Sequence, residues 1–405
     1  MKTNVLYYGD NLEVMHNHIP DDSINLIYID PPFFSSKAYE VIYGDTKEKR
    51  MFEDRWKGDV YHFVSWMEPR LAQMHRVLKP TGTIYVHLDW HAVHYIKIAM
   101  DKIFGYNNFL NELIWHYRRW PTKARHLQRM HDTILVYRKS DDDTRPFNIR
   151  YRPRAESTIK RWEDKKIRAR HDESGQRIPS VSEAEKSKGV PLDDVWNIPI
   201  IAPVKKERLG YPTQKPEKLL AQIIDVSSNT NDVVADFFCG CGTTLAVAQM
   251  LGREWIGCDV SPTALKLVKQ RLIKCGATAI EEVGVPKNME DLKAMEHFEF
   301  QNYVIDFIQG LHSPKLVGDA GIDGYTTFKR NPVQVKQQEH VGRPEIQKFQ
   351  SAIHAEKKDK GYFFAFSFTK PAYEEAARCK QQEGIEIEFW NVQDLMEVGP
   401  PPTFL

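Results

Sequence analysis

The run Ser23-Ile24-Asn25-Leu26-Ile27-Tyr28-Ile29, closed by Asp30-Pro31-Pro32-Phe33, constrains this chain more than any other stretch. Its β-branched and aromatic residues predict a buried strand over Ile24–Ile29, and two successive prolines, which cannot donate to a ladder, must end it. That leaves an acid, a proline carbonyl and an aromatic ring at a strand's carboxyl edge, where open α/β sheets bind their ligands. Asp30 and the Pro31 carbonyl can accept two N–H bonds from an exocyclic amine on a planar group, while Phe33 stacks on its face. The same four residues also suit a plain turn before a helix, with Asp30 as its cap and Phe33 in the core.

At 405 residues the chain exceeds what one core usually serves, so two or three domains are expected. Hydrophobic residues make up 41% and mean hydropathy is −0.52, with no apolar run of membrane-spanning length and no signal-like leader before the first strand. A soluble protein without a membrane partner is expected. Five cysteines without metal-ligand spacing point to a reducing cytoplasm. The net charge of +1 hides an uneven distribution: residues 117–170 hold 17 Lys/Arg against 7 Asp/Glu, interleaved with Tyr117, Trp120, Tyr137, Tyr151 and Trp162. A basic stretch this rich in arginine and aromatic rings fits a phosphate backbone and base edges. A solvated loop is the plainer alternative.

Strand and helix patterns alternate through residues 1–115. The strand Val5–Tyr8 precedes Gly9-Asp10-Asn11 and a helical pattern at Leu12, Met15 and Ile19. Residues 35–59 are polar and look like a loop able to fold over a ligand. Phe63 to Val77 has helical spacing, and Lys79-Pro80-Thr81-Gly82 turns into the strand Thr83–Leu88. A helix over about Ala92–Ile103 and a strand over Glu112–Tyr117 complete a doubly wound pattern. Residues 118–200 break it, with one plausible strand at Thr133–Tyr137, and look inserted between two halves of one sheet. Regular α/β patterning resumes with a helix from Glu217 to about Ser227.

A second constellation begins at Val233-Val234-Ala235-Asp236-Phe237-Phe238-Cys239-Gly240-Cys241-Gly242-Thr243-Thr244. A strand ends in a Gly-x-Gly turn that lets the backbone approach a ligand, and the following helix, Leu245–Leu251, offers its positive end to an anionic group. The next strand, Glu254–Cys258, ends in Asp259, placed to bind a ribose diol. With two of the three dinucleotide glycines, an adenosine-containing ligand such as S-adenosylmethionine is expected rather than NAD.

These residues carry a resemblance. Asp30-Pro31-Pro32-Phe33 is similar to the catalytic motif of DNA amino-methyltransferases, Asp236 through Thr244 to their cofactor motif, and Pro212-Thr213-Gln214-Lys215-Pro216 to the element just before it. The order of catalytic motif, recognition region and cofactor motif resembles that of the β group. Tyr211, Phe237 and Cys241 depart from the usual His, Pro and Ser. The resemblance covers about residues 1–275 and implies a Rossmann-like sheet that uses S-adenosylmethionine. It implies a base flipped from double-stranded DNA, stacked on Phe33 and held through its amine by Asp30 and the Pro31 carbonyl, with Pro32 in the same motif. It further implies that Asp259 binds the ribose, Asp10 the adenine amine of the cofactor, and Thr213 and Lys215 its amino-acid end. Asp236, Phe238, Gly240, Gly242, Thr243 and Thr244 would complete the cofactor site. No covalent intermediate is needed, so neither Cys239 nor Cys241 need be a nucleophile. An initial Asp in the motif favours adenine N6 over cytosine N4.

Beyond Gly276 a linker over residues 281–294 leads to an amphipathic helix, Phe298 to Leu311. Then come Gly318-Asp319-Ala320-Gly321-Ile322-Asp323-Gly324-Tyr325 and the strand Pro332-Val333-Gln334-Val335-Lys336-Gln337. Gln334 and Lys336 share a strand face near Asp323. An acid with a second oxygen ligand, here Asp323 with Gln334, can hold Mg²⁺, and Lys336 can polarise an attacking water. Tyr362–Ser367 and Ile385–Trp390 read as core strands, with a helix near Ala372–Gln381 between them. The unit resembles the Mrr-like branch of the PD-(D/E)xK restriction nucleases, in which Glu299 and Asp319 match further acidic positions. An Asp-Gly turn before an ordinary strand, and a non-catalytic DNA-binding module, remain alternatives.

His87, His91, His94 and Asp89 straddle a strand end and a helix start, and a hydrogen-bonded surface is expected there rather than a metal site. The organisation expected is a catalytic half (1–117), a target-recognition region (118–205), a cofactor-binding half (206–280), a linker (281–294) and a nuclease-like domain (295–405). Together they would act as a restriction–modification polypeptide, with a homodimer as one candidate assembly.

Overall fold

The computed structural model describes residues 1–32, 60–121, 123, 125–163, 165–202, 205, 207–209, 213–308, 310–313, 321–326 and 329–398. Phe33, the loop over residues 35–59, Tyr211, Pro212 and Asp319 lie outside them.

Four neighbouring parallel strands form the centre of a nine-stranded sheet. They are β1 (Val5–Tyr8), β2 (Ile24–Ile29), and, further along the chain, Val233–Asp236 and Glu254–Asp259. Between these in sequence lie β3 (Leu78–Leu88), β4 (Phe109–His116) and β5 (His131–Arg138). Two small ribbons follow: β6 (Tyr151–Arg152) pairs with β9 (Val190–Pro191), and β7 (Lys165–His171) with β8 (Arg177–Lys186). After β10 (Val195–Asn197), the strands Val233–Asp236 and Glu254–Asp259 are β11 and β12, and β13 is Glu281–Val283. The order across the sheet is β10-β4-β5-β3-β2-β11-β12-β1-β13.

Residues along β2 point alternately into two cores, as a strand covered on both faces requires. Ile27 and Ile29 pack with helix Val60–Val77, while Leu26 and Tyr28 pack with helix Glu217–Ser227. The expected strands and helices of the first 115 residues are present, with the first helix at Asn11–His18, but the turn expected over residues 79–82 is drawn into β3, which starts at Leu78. The helix expected over 92–103 stays α-helical only across Val93–Met100 and ends in a wider π-type turn, Asp101–Gly105.

Two segments differ from expectation. The irregular region over 118–200 contributes β5, antiparallel to both β3 and β4, and β10, parallel to β4, so part of it is built into the main sheet. The stretch expected as a linker adds β13 to the outer edge of β1 and then forms helix Met289–Ala294. An edge strand must be covered or charged, and the Glu281 carboxylate there meets Lys2 at 2.7 Å.

The C-terminal unit is a five-stranded sheet in the order β14 (Leu311–His312), β15 (Gly324–Tyr325), β16 (Pro332–Lys336), β17 (Lys360–Ala365), β18 (Glu386–Asn391). Pairing is antiparallel up to β16 and parallel beyond it. One face packs on helices His297–Phe307 and Val392–Val398, the other on Arg343–Ala355 and Lys370–Glu383. The leading helix is one turn shorter than expected because Gly310 and β14 follow it. Among the described residues no helix is long and apolar enough to cross a membrane.

Candidate active site

The carboxyl ends of β2, β11, β12 and β1 meet at one edge of the sheet, and the side chains just beyond each strand line a single pocket. Asp10, Asp30, Pro31, Pro32, Thr213, Lys215, Asp236, Phe238, Gly240, Thr243, Thr244 and Asp259 all border it. Residues separated by more than two hundred positions are thus brought together. Gly242 is the exception. It sits behind the wall with φ +70, and a Cβ there would come 2.8 Å from Val268 on helix Pro262–Lys274. The glycine is required by the left-handed turn and by that close helix, which start helix Thr243–Met250 at the pocket.

Each acid is held in a defined way. Asp10 caps helix Asn11–His18 through the Leu12 amide at 2.8 Å, and its other oxygen accepts from Arg70 at 2.6 Å. Asp259 accepts from the Gly240 amide at 2.7 Å and the Ser261 amide at 2.9 Å. Asp236 accepts from the Thr244 hydroxyl at 2.6 Å and the Phe238 amide at 3.1 Å. Burial pushes the Asp236 carboxyl up to about 7, against those two hydrogen bonds and helped by the charges of Asp30 and Asp259. Lys215 binds Asp30 Oδ2, while Asp30 Oδ1 is buried and lacks a hydrogen-bond partner among the described residues. The lysine therefore fixes the carboxylate with one oxygen committed and the other presented as an acceptor. Burial raises the thiols of Cys239, Cys241 and Cys258, which keeps them protonated and unsuited to nucleophilic attack.

The pocket thus combines four carboxylates with one lysine, a glycine turn and apolar walls at Trp66 and Phe238. That set fits S-adenosylmethionine: acids for its hydroxyls, amine and positive sulfur, and a helix start with Lys215 and Thr213 for its carboxylate. A pyrophosphate would face net negative charge.

The four histidine-region residues diverge. His91 Nδ1 lies 2.5 Å from Asp89, His94 is exposed, and His87 is fully buried rather than part of a surface. No group of three metal-binding side chains occurs among the described residues.

In the C-terminal unit, Asp323 lies beside β16, accepting from the Val335 amide at 2.7 Å and from Gln301 at 3.1 Å. Gln334 is buried, with an Oε1 that lacks a partner among the described residues. Lys336, half-buried, ends the same strand, and Glu299 is exposed in the first turn of the helix that supplies Gln301. Asp323, just before β15, and Gln334, on β16, thus offer two oxygens, which suits a hard cation.

Residues 24–270 match the family profile described as DNA methylase. The chain belongs to the DNA methylase family. The DNA adenine methyltransferase YhdJ of Escherichia coli (strain K12) is 29% identical over 71% of this chain and 88% of its own. The type II methyltransferase M2.LlaDCHI of Lactococcus lactis subsp. cremoris is 30% identical over 68% of this chain and 90% of its own. The solved cytosine-N4-specific PvuII DNA methyltransferase superposes with a TM-score of 0.43 at 16% identity, over 75% of this chain and 94% of its own. Residues 292–398 match the family described as restriction endonuclease, so this DNA methyltransferase carries a restriction-endonuclease-like domain at its C-terminal side.

Several residues that build the methylase pocket do not stand out as motifs. Arg70, buried inside helix Val60–Val77, binds Asp10, Asn11 at 2.8 Å and the Trp66 carbonyl at 3.0 Å, with its guanidinium 4.0 Å above the Trp66 ring. Asn11 passes the contact on to the Phe237 carbonyl at 2.8 Å. Arg271 joins Thr243 at 2.9 Å to Glu217 at 2.8 Å. A signal did exist for both arginines. Arg70 falls on the stripe of Phe63, Met67, Leu71 and Met74, and Arg271 on that of Leu265, Val268 and Leu272, where a charge must be buried and paired.

Proposed function

We propose that this chain transfers a methyl group from S-adenosylmethionine to adenine N6 in double-stranded DNA, in the cytoplasm, and that its C-terminal domain is a Mg²⁺-dependent DNA endonuclease. The observation that carries the first part is Asp30 Oδ1, a buried acceptor without a partner among the described residues, beside a pocket that suits the cofactor. The adenine target is supported by the Asp that opens the motif and by similarity to a methyltransferase named for adenine.

S-adenosylmethionine supplies a methyl group on a positively charged sulfur. The protein's own contribution is placement. Asp30 Oδ1 and the Pro31 carbonyl accept the two N–H bonds of the target amine, and Lys215 holds the carboxylate so that Oδ1 cannot turn away. Apolar walls exclude water, so geometry and desolvation supply most of the acceleration. The basic, aromatic segment over residues 117–170 holds the DNA backbone; several of its cations are already paired, as Arg152 is with Asp193.

For the second part, Asp323 and Gln334 would hold the metal, and Lys336 would stabilise charge on the scissile phosphate. The pairing of both activities suits a restriction–modification polypeptide.

Expression in a methylation-free bacterial host, followed by nucleoside mass spectrometry of its DNA, tests the target. N6-methyladenine is expected; N4-methylcytosine would move the assignment to the other amine, and neither would remove it. Incubation of purified protein with unmethylated plasmid and Mg²⁺ tests the nuclease: wild type should cut and Asp323→Ala should not. An equal absence of cutting in both would leave the domain as a DNA-binding module.

A further inference from the structure

A buried polar chain leaves the pocket through the sheet and plays no part in the contacts described so far. Tyr28 borders the pocket and lies two residues before Asp30, on the same face of the extended segment. Its hydroxyl lies 2.8 Å from Nδ1 of the fully buried His87 on β3. His87 Nε2 faces Asp132 Oδ2 on β5 at 3.4 Å, and the other Asp132 oxygen accepts from the Tyr117 hydroxyl at 2.9 Å. Trp115 stands edge-on to the imidazole with centroids 5.5 Å apart, and Arg119 donates to the Tyr117 hydroxyl at 3.1 Å.

The directions of these bonds follow from the donors available. A carboxylate only accepts, so His87 carries its proton on Nε2 and, while neutral, accepts at Nδ1 from Tyr28. The Tyr28 oxygen is then left with its lone pairs and no proton to give. Burial pushes the Asp132 carboxyl up, but the hydrogen bond and charge of His87, then Lys215 and Tyr117, outweigh it and hold it below its ordinary value. Asp132 is therefore ionised and ready to stabilise a protonated imidazole.

We infer that Tyr28, His87 and Asp132 form a proton relay that takes up the proton released when the target amine is methylated. The inference rests on the amine-methylation reading above and holds for adenine or cytosine alike. Methylation forms an N–C bond as the C–S bond breaks and its electron pair goes to sulfur, leaving the amine with one proton too many. As the amine becomes tetrahedral, one N–H leaves the Pro31 carbonyl for the Tyr28 oxygen, which borders the same pocket, and its proton passes there as the phenol's own proton moves to His87 Nδ1. The imidazolium rests against ionised Asp132, and the proton returns through Tyr28 to water once the methylated base has left. Tyr28 is thus the residue that meets the substrate, and His87 and Asp132 act through it.

The test is single-turnover methyl transfer by the full-length protein on unmethylated genomic DNA, measured from pH 5 to 9, with cofactor and DNA binding measured alongside. The titratable and charged groups facing the relay are Asp30, Asp236 and Lys215 on the pocket side and Tyr117 and Arg119 on the other. All of these stay in place in Tyr28→Phe and His87→Asn. A relay that needs a neutral acceptor predicts an acid limb, with the wild-type rate falling towards low pH. Tyr28→Phe should be at least tenfold slower near pH 7.5 with both bindings within twofold of wild type, and that acid limb should flatten. His87→Asn, which keeps an acceptor for Tyr28 but cannot become a cation, should be slowed in the same way and covers the case in which Tyr28→Phe fails to fold. Variants at the wild-type rate, or slow variants whose pH profile is unchanged, would overturn the relay. Absence of product from wild type would instead remove the methylation reading itself.

Discussion

Replacing Arg70 by methionine removes the cation that links Asp10, Asn11 and Trp66 at the pocket. The Arg70 side chain is 6% exposed and that of Asp10 is 30% exposed. Removing one partner of a buried ion pair costs about 3–5 kcal/mol when the remaining charge stays dry. Asp10 can take up water at its exposed edge, which places Arg70→Met at the lower end, about 3 kcal/mol, or about a hundredfold in the folding equilibrium. The apolar stem of methionine retains most of the packing against Trp66, so the loss reads the polar contacts. Urea unfolding followed by circular dichroism should show this loss. Because Asp10 and Asn11 both border the pocket, equilibrium dialysis should show S-adenosylmethionine bound about tenfold more weakly. Arg76→Met is the control: its ion-pair partner Asp21 is 71% exposed, and with the bonds to Gln73 and the Met15 carbonyl also lost it should cost about 1–2 kcal/mol, less than Arg70→Met. A loss for Arg70→Met no larger than that for Arg76→Met, with unchanged cofactor affinity, would refute the reasoning.

Asp236 gives a pH prediction. Its carboxyl stays protonated in the folded chain up to about 7, whereas an unfolded aspartate ionises near ~3.9. Between those values folding takes up a proton, so its contribution to stability is full at low pH and is lost as pH rises through 7. Asp236→Asn should therefore flatten the decline in urea midpoint between pH 4 and 8; an unchanged slope would count against the assignment. Gly242→Ala must adopt φ +70 and meet Val268, so it should lower stability by about 1–3 kcal/mol and weaken cofactor binding. A neutral outcome in thermal melts would show that the turn relaxes freely.

The parts of the fold that were legible share one property: their local pattern agrees with their burial. β2, β11 and β12 are apolar runs stopped by Pro-Pro, a Gly-x-Gly turn or an acid, and each acid or turn residue at those stops sits at the pocket. β10 and β13 were not legible, because a three-residue strand at a sheet edge has no period to detect and Glu281-Glu282 looks like a linker. The antiparallel placement of β5 was hidden as well, since a polar, arginine-rich stretch precedes it and pairing direction leaves no mark in a strand's own residues. Helix Thr243–Met250 starts two residues earlier than its apolar pattern, because its cap is Gly242, which has no side chain to signal one. The buried side chains that serve the pocket from behind, Arg70, Arg271, His87 and Asp132, belong to no motif. The bonds Arg70–Asp10, Arg271–Thr243, Tyr28–His87 and His87–Asp132 span 28 to 60 residues, so only the fold brings these groups together.

The most direct measurement follows tritium from labelled S-adenosylmethionine into unmethylated duplex DNA, comparing wild type with Asp30→Ala and identifying the labelled nucleoside after digestion. Label in N6-methyladenine from wild type, and at least a hundredfold less from Asp30→Ala with cofactor binding retained, is the result expected if Asp30 holds the target amine. Undiminished transfer by Asp30→Ala, or no label in DNA from wild type, would contradict the assignment of this pocket.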